Sequence, residues 1–201
     1  MRKVIVVSMI TLDGVMQAPG GPEEDPSGGF KYGGWVFPYA DEYGNQILNE
    51  QLGHPFDLLL GRKTYDIWKG YWPLHKDGFI GAAFDRATKY VASTSLTESD
   101  WDKTVILNDN VPNEIRKLKQ SNGPEIQVHG SGNLIQTLLR NDLVDELWLK
   151  IFPITLGAGK RLFVDGAIPA AFTLQESSRS PSGVIFGSFR RDGEVRTGSF
   201  Q

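Results

Sequence analysis

Residues 57–68 form the sequence Asp57-Leu58-Leu59-Leu60-Gly61-Arg62-Lys63-Thr64-Tyr65-Asp66-Ile67-Trp68. Its three consecutive leucines indicate a short strand that is buried on both faces. Gly61 would end this strand, and Arg62, Lys63 and Thr64 follow where a helix would begin. The first N–H groups of a helix lack partners within it, and the helix dipole favours negative charge there. The segment is therefore typical of an anion-binding helix start, although a simple βα turn with a solvated basic pair has the same pattern.

A second junction of the same kind lies at residues 125–133. A run typical of a strand ends at His129, and Gly130-Ser131-Gly132-Asn133 then leads into apolar residues at helical spacing. We expect Ser131 to cap this helix. The junction is not the full dinucleotide fingerprint, because Ile135 stands at the third glycine position and no acidic residue follows about 20 positions later.

Both junctions are predicted to lie at one edge of the sheet, because parallel strands place the helices that follow them at the same edge. Ser93-Thr94-Ser95 ends a further short strand at this edge and adds hydroxyl donors. Together these features predict a ligand with more than one phosphate. Capping and turn formation account for the same Ser and Thr residues without a ligand, so both interpretations stay open.

The rest of the chain predicts one α/β domain over residues 1–201, with a mostly parallel sheet. Helices are predicted at residues 41–52, after Gly61, after Pro112 and after Gly132, with a helical turn at 84–88. Six strands are predicted at residues 3–10, 57–60, 89–92, 105–107, 125–129 and 143–152. Two more, at 172–176 and 184–190, flank Pro181-Ser182-Gly183 and would form an antiparallel C-terminal hairpin.

The composition excludes several classes of function. The chain is 40% hydrophobic and 11% aromatic, as globular proteins are, and its net charge of -3 argues against a dedicated nucleic-acid binder. It has no cysteine and only three scattered histidines, so neither disulfides nor a metal site is expected. No apolar run reaches the roughly 18 residues of a membrane-spanning helix, and the N-terminus lacks a leader pattern. We therefore expect a cytoplasmic protein that binds no membrane.

Residues 17–34 are predicted to form a long loop. The segment is rich in Gly and Pro and contains Glu23-Glu24-Asp25, an acidic run that cannot be buried without partners. Loops of this length in compact domains are commonly lids or binding loops, so we expect a mobile lid over the site. Trp35 and Phe37 would add an apolar wall to that site. The alternative is a disordered surface loop with no role.

Several motifs resemble those of one enzyme superfamily. Residues 57–65 resemble the hydrophobic-Gly-Arg-x-Thr segment of dihydrofolate reductases. Thr11-Leu12-Asp13-Gly14, residues 128–132 and residues 152–159 resemble motifs of the riboflavin-biosynthesis reductase domain, the RibD C-terminal domain, which shares that fold. The match runs in order over nearly the whole chain. It implies a central eight-stranded sheet flanked by helices, and NADPH as the cofactor.

The resemblance also implies roles for individual residues. Arg62 would bind the adenosine 2′-phosphate with Ser93 and Ser95, which favours NADPH over NADH. The full set implied for the cofactor is Gly61, Arg62, Lys63, Thr64, Ser93, Thr94, Ser95, Gly130, Ser131, Gly132 and Asn133. The set expected at the nicotinamide and substrate end, with the wall residue Trp35, is Thr11, Asp13, Gly14, Trp35, Leu156, Gly157 and Gly159. Asp13 and Asp41 are candidates for proton handling.

The sequence departs from both relatives in ways that leave the substrate open. The carboxylate that binds the pterin in dihydrofolate reductases corresponds to Asn45, and no basic set for a ribose phosphate is evident. The chain also lacks the length and cysteines of a zinc deaminase domain.

Three functional hypotheses follow. The first is an NADPH-dependent reductase of a small heterocyclic or sugar-linked substrate, resembling 5-amino-6-(5-phosphoribosylamino)uracil reductase. The others are a dihydrofolate or pterin reductase, and a nucleotide-binding protein without turnover. We also expect a homodimer, because related domains pair and because Leu147, Trp148 and Leu149 would offer an apolar surface.

Overall fold

The structure is a computed structural model and describes residues 1–165 and 168–200. It contains eight strands: β1 Val4–Thr11, β2 Phe56–Gly61, β3 Lys89–Ala92, β4 Thr104–Leu107, β5 Glu125–His129, β6 Glu146–Phe152, β7 Phe172–Arg179 and β8 Ile185–Arg191. The α-helices are α1 Glu42–Gly53, α2 Arg62–Lys69, α3 Phe79–Arg86, α4 Val111–Gln120 and α5 Gly132–Arg140. None of the helices within these residues is long and apolar enough to cross a bilayer.

All eight strands belong to one sheet, in the order β4-β3-β2-β5-β1-β6-β8-β7. The first six strands of the chain are parallel, and β8 runs antiparallel to β6 and β7. Val7 of β1 is paired with His129 of β5, and Met9 of β1 is paired with Lys150 of β6. The predicted α/β architecture, with its eight-stranded sheet and antiparallel C-terminal hairpin, is therefore confirmed.

The sheet is buried on both faces over its central strands, as the leucine run predicted. Leu59 belongs to one core cluster with Val128 and with Ile115 of α4 and Leu138 of α5. Leu58 and Leu60 belong to a second cluster on the opposite face, with Leu52 of α1, Tyr65 of α2 and Phe84 of α3. Alternate residues of β2 thus pack against different layers, because side chains of a strand point alternately to its two faces.

Three predicted elements had bounds that were off by more than one residue, one of them β7, which extends to Arg179 rather than to residue 176. The strand expected from residue 143 begins at Glu146, because Asp142 has a φ of 50° and Leu143 donates its N–H to the carbonyl of Leu138, which closes α5 with a turn. The helical turn expected at 84–88 is part of α3, which starts at Phe79 and ends before Ala87. Gly78 is the N-cap residue of this helix.

The surface proposed for a dimer is not exposed. β6 lies between β1 and β8, so Leu147 and Leu149 are buried in the core of the same chain. Trp148 is half-buried and donates its indole N–H to Glu146. The expected homodimer therefore rests on the resemblance alone.

The loop at residues 17–34 is packed rather than detached. Gln17 donates through its side-chain amide to the carbonyls of Asp25 and Ser27, and Trp35 donates its indole N–H to the carbonyl of Gln17 at 2.8 Å. Phe30 and Trp35 are buried in a third core cluster with Phe152. Within the acidic run, Asp25 has two partners, because it forms ion pairs with Lys63 and Lys160.

Candidate functional site

A large cleft of about 1230 Å³ lies at the carboxyl ends of β1, β2 and β5. One part is lined by residues 61–64 and 130–133, the starts of α2 and α5, and we call it the junction end. The other part runs along the sheet beneath α1, α2 and α3. We call it the deep end, and it is lined by Val7, Met9, Leu48, Leu52, Trp68, Trp72, Phe84, His129 and Lys150.

Side-chain hydrogen bonds connect the two turns of the junction end. Gly61 donates its N–H to the hydroxyl of Ser131 at 2.9 Å, and Ser131 donates its N–H to the hydroxyl of Thr64 at 2.9 Å. The prediction that Ser131 caps α5 through its side chain was therefore wrong, because that hydroxyl accepts from β2 instead. Ser131 also has a φ of 48°, in the left-handed region that is costly for a residue with a side chain.

Gly130 is required by the close approach of the two turns. Its φ is 56°, and a Cβ at this position would lie 3.2 Å from the hydroxyl oxygen of Thr64. The predicted proximity of the two strand–glycine–helix junctions is thus observed, with Thr64 and Ser131 turned toward each other. Asn133 also lines the cleft from the first turn of α5.

Arg62 and Ser95 are adjacent, as the resemblance implied. The guanidinium of Arg62 donates to the hydroxyl of Ser95 at 3.0 Å and to the carboxylate of Asp66 at 2.9 Å. Ser93 is placed differently, because its buried hydroxyl accepts from the N–H groups of Ser95 and Leu96 and shapes the turn. Thr94 is exposed beside it. Arg62 lines the cleft, whereas residues 93–95 lie outside its lining.

Asp25 connects the loop at residues 17–34 to two lysines of the cleft. Its carboxylate accepts from the ammonium of Lys63 at 2.5 Å and from that of Lys160 at 2.6 Å. Burial opposes ionisation of this carboxyl, but the bonds from Lys160 and Lys63 outweigh it and hold the pKa of Asp25 well below its usual range. A carboxylate thus lies between two cations beside the junction end, where an anionic ligand would also bind.

The deep end has apolar and aromatic walls. The rings of Trp68 and Phe84 are stacked with centroids 4.5 Å apart, and Trp72 meets Phe84 edge-on at 5.1 Å. Leu48 and Leu52 contribute the α1 side. Such walls exclude water and suit a flat ring.

His129 lies at the floor of the deep end. Gln127 donates its amide N–H groups to Gln51 and Glu125, so its oxygen accepts from Nε2 of His129 at 3.0 Å. This assignment leaves Nδ1 of His129 as the acceptor. Burial, together with the charge of Lys150, lowers the pKa of His129 to about 3. The imidazole is therefore neutral at physiological pH.

Lys150 lies on the same face of the sheet as His129, because their strand partners Met9 and Val7 are two residues apart on β1. Only 5% of Lys150 is exposed. Burial lowers the pKa of its ammonium to about 8, with no hydrogen bond or carboxylate among the described residues to offset the effect.

The two carboxylates expected to handle protons are not in the cleft. Asp13 accepts from the hydroxyl of Thr11 and from the N–H groups of Leu156 and Gly157, and the Thr11 bond does most to lower the pKa of Asp13. Asp41 is the N-cap of α1, and its bond from the N–H of Gly44 does most to lower its pKa. Both carboxylates hold loops in place, and their assignment as catalytic candidates stays a prediction.

The residues predicted for the substrate end divide in the same way. Gly159 lines the cleft. Thr11 and Gly14 form the turn after β1, and Asp13 ties that turn to Leu156 and Gly157. Trp35 packs edge-on against Phe152 with ring centroids 5.1 Å apart. Apart from Gly159, this set lies outside the described lining of the cleft.

A family model described as the RibD C-terminal domain matches residues 2–186. The chain belongs to the RibD C-terminal domain family. The uncharacterized protein YyaP of Bacillus subtilis is 33% identical over 172 residues, which is 82% of this chain and 81% of that protein. The uncharacterized protein YwjB of the same organism is 23% identical over 162 residues, covering 81% of this chain and 83% of YwjB.

Solved structures support the fold of this RibD C-terminal domain. A protein of Shewanella sp. PV-4, assigned provisionally to riboflavin biosynthesis, has a TM-score of 0.72 at 21% identity and covers 94% of this chain and 99% of its own. A pyrimidine reductase-like protein of Corynebacterium diphtheriae has a TM-score of 0.60 at 13% identity, covering 98% and 93%. Dihydrofolate reductase of Enterococcus faecalis, complexed with NADP(H), has a TM-score of 0.59 at 11% identity, covering 94% and 96%.

Sequence reasoning missed the polar residues of the deep end in this RibD C-terminal domain. The aromatic residues Trp68 and Trp72 line the cleft beside them. His129 carried no signal beyond its place at the end of a strand. Lys150 carried one that was overlooked: a lysine inside the apolar run Leu147-Trp148-Leu149-Lys150-Ile151, where buried strands rarely hold a charge.

Proposed function

We propose that this protein is an NADPH-dependent reductase of a small heterocyclic or sugar-linked substrate. One observation carries the proposal: the two junction turns and the apolar deep end belong to one continuous cleft. Its volume of about 1230 Å³ exceeds the roughly 300–1,000 Å³ typical of single-ligand pockets. A cleft of this size suits a dinucleotide and a second small molecule together.

The donors of the junction end fit the cofactor. Arg62 has a guanidinium fork beside the hydroxyl of Ser95, a combination suited to the phosphate monoester that distinguishes NADPH from NADH. Lys63 and Lys160 offer ammonium groups, and residues 130–132 bring backbone close to the cleft without bulky side chains. The related dihydrofolate reductase fold holds NADP(H) in the Enterococcus faecalis protein.

When bound, NADPH supplies a hydride, and the protein supplies orientation and exclusion of water. The stacked Trp68 and Phe84 and the leucines of α1 keep the deep end apolar. The junction turns would hold the phosphates at a fixed place relative to that pocket. Fixed placement of two reactants is itself a large contribution to rate.

A pterin reductase is less well supported. The residues of α1 that line the cleft are Leu48 and Leu52, and the described lining includes no carboxylate from this helix. Asp41 caps α1 and accepts a hydrogen bond from the N–H of Ser182, so its carboxylate already has partners outside the cleft. A nucleotide-binding protein without turnover remains the alternative that turnover assays decide.

The proposal is tested by cofactor titration of the wild type, Arg62→Ala and Arg196→Ala. Arg196 is exposed and lies outside the cleft lining, so it controls for the loss of one arginine charge. We expect tighter binding of NADPH than of NADH, and a loss of roughly 1.5–3 kcal/mol in Arg62→Ala, about ten- to a hundredfold in affinity. Equal dissociation constants for the two cofactors in the wild type would overturn the NADPH assignment.

Turnover is tested separately, by following NADPH oxidation at 340 nm with a panel of pyrimidine, pterin and sugar-phosphate carbonyl or imine compounds. Oxidation that depends on one compound class supports a reductase. Tight NADPH binding without oxidation across the panel supports the nucleotide-binding alternative instead.

A further inference from the structure

Three lysines are buried within the part of the chain that the structure describes: Lys89, Lys119 and Lys150. Lys89 donates to the carbonyls of Asp85 and Ala87 and lies over the ring of Trp101. Lys119 donates to the carbonyl of Leu143 and forms an ion pair with Asp145. Lys150 has no comparable partner among the described residues, and burial alone shifts its pKa.

An ammonium in this position costs folding free energy. Removing a charge from water without a counter-charge is unfavourable by several kcal/mol in proteins, and such groups are rare unless they serve a ligand. Four carboxylates line the described part of the cleft, Glu24, Asp25, Asp66 and Asp165, and none of them forms an ion pair with Lys150. Asp25 binds Lys63 and Lys160, and Asp66 binds Arg62. The neighbouring His129 is neutral and adds no negative charge.

The walls of the cleft that Lys150 also lines define what would compensate it. The walls of the deep end are apolar and include the flat rings of Trp68, Trp72 and Phe84. A ligand that buries its body against these rings and presents one negative oxygen would restore the pairing that Lys150 lacks. A planar aromatic carboxylate or an ionised ring oxygen has this shape and charge.

We propose that the deep end binds a planar organic anion and that Lys150 is the residue that pairs with its negative oxygen. In the reductase this anion is the substrate or an ionised form of it, and to that extent the inference rests on the proposed function. Lys150 would then select substrates by charge, while the aromatic walls select them by shape.

The proposal is tested with two isosteric probes, benzoate and benzamide, titrated calorimetrically against the wild-type protein with and without saturating NADP+. Benzoate has the planar ring and one negative charge, and benzamide has the same shape without the charge. We expect benzoate to bind at least about tenfold more tightly, because a charge-assisted pair in a dry site has no equivalent for the amide.

The variants Lys150→Met and Lys117→Met test whether Lys150 causes the preference for benzoate. Lys117 is exposed on α4, so its replacement removes one positive charge from the same protein without touching the cleft. We expect Lys150→Met to lose the preference for benzoate and Lys117→Met to retain it. Lys150→Met should also melt about 2–4 °C higher than the wild type, since an uncompensated buried charge is gone. A lysine with a merely structural role would lower the melting temperature when replaced.

The inference is overturned if the wild type binds benzoate and benzamide equally, or if Lys150→Met keeps the preference for benzoate. These outcomes are independent of the NADPH titration of the wild type and Arg62→Ala. A protein that binds NADPH but does not prefer benzoate is still a candidate reductase without an anion site. One that prefers benzoate but fails to bind NADPH keeps the anion site and loses the proposed function.

Discussion

The junction end of the cleft is made by two short segments of chain, whereas the deep end is assembled from three strands and three helices. At the junction end, residues 61–64 and 130–133 supply glycines, hydroxyls and cations that are adjacent in sequence. At the deep end, Val7, Leu52, Phe84, His129 and Lys150 come together only because the sheet order brings their strands and helices together. Local motifs thus determine where the phosphates of a ligand would bind, whereas tertiary packing determines which second molecule would fit the deep end.

The two ends also handle charge in opposite ways. The cations of the junction end have partners, since Asp25 pairs with Lys63 and Lys160 and Asp66 pairs with Arg62. Water also reaches these side chains, which limits what each pair contributes to stability. The deep end holds a neutral imidazole and a single ammonium in apolar surroundings. Substitutions at the junction end should therefore change stability and affinity mainly by altering the conformation of the turns. Substitutions at the deep end should change them mainly by altering how much charge is buried.

The largest effect is expected from Gly130→Val, which tests whether geometry governs the junction end. The substitution puts a branched side chain at a φ of 56° and beside Thr64. We expect a loss of roughly 2–3 kcal/mol in the free energy of unfolding, measured by urea denaturation, and loss of most NADPH affinity. Gly193→Val is the matched control, because Gly193 also has a positive φ but has nothing within 4 Å of the added Cβ. Equal losses of stability in the two variants would show that contact with Thr64 is unimportant.

The next effect concerns the pH dependence contributed by His129. Its folded pKa of about 3 is below the ordinary value of 6.5, so the unfolded chain binds more protons between these two pH values. The contribution to stability is complete above pH 6.5 and is lost as the pH falls toward 3. In His129→Gln this part of the acid loss disappears, so the variant should lose about 2.5 kcal/mol less than the wild type between pH 7 and 4.5. His54→Gln, at an exposed position, should follow the wild-type curve. Parallel curves for wild type and His129→Gln would contradict a folded pKa of His129 far below its ordinary value.

The smallest effect is expected from Asp25→Asn, which removes the carboxylate between Lys63 and Lys160. We expect a loss of about 1 kcal/mol in stability, because both lysines are largely exposed and their ion pairs are screened. Affinity for inorganic pyrophosphate should rise several-fold, because the two ammonium groups no longer share a carboxylate. Glu23→Gln, an exposed position in the same loop, removes the same charge as a control. Weaker pyrophosphate binding in Asp25→Asn would mean that Asp25 positions the lysines rather than competing for them.

The sequence predicted the junction end well because its determinants are local. A glycine after a buried strand and a polar helix start are readable within four residues, and the parallel topology then brings two such turns together. The same reasoning failed for Ser131, since the ordinary capping preference gave way to a hydrogen bond from Gly61 across two strands. The sequence also did not show that Asp13 and Asp41 accept hydrogen bonds from loops outside the cleft lining, because their partners are distant in sequence.

The deep end was not predictable from pattern alone. Nothing local places Lys150 opposite Met9, or Met9 two residues beyond the partner of His129. That relation needs the register of three strands, which sequence periodicity does not give. The partners of Asp25 in the loop at residues 17–34 were not predictable for a related reason: Lys63 and Lys160 are 38 and 135 residues from Asp25 along the chain.

The hydrogen bonds that join Gly61, Ser131 and Thr64 fix the distance between the two turns of the junction end. The two turns follow β2 and β5, which are neighbours and so lie about 4.8 Å apart. Because the turns are cross-linked, the separation of their donors is a property of the sheet rather than of the loops. A molecule that engages both turns is selected by the distance between its own anionic groups. The junction end would thus select ligands by the spacing of their anionic groups, and the deep end would select them by ring shape and charge.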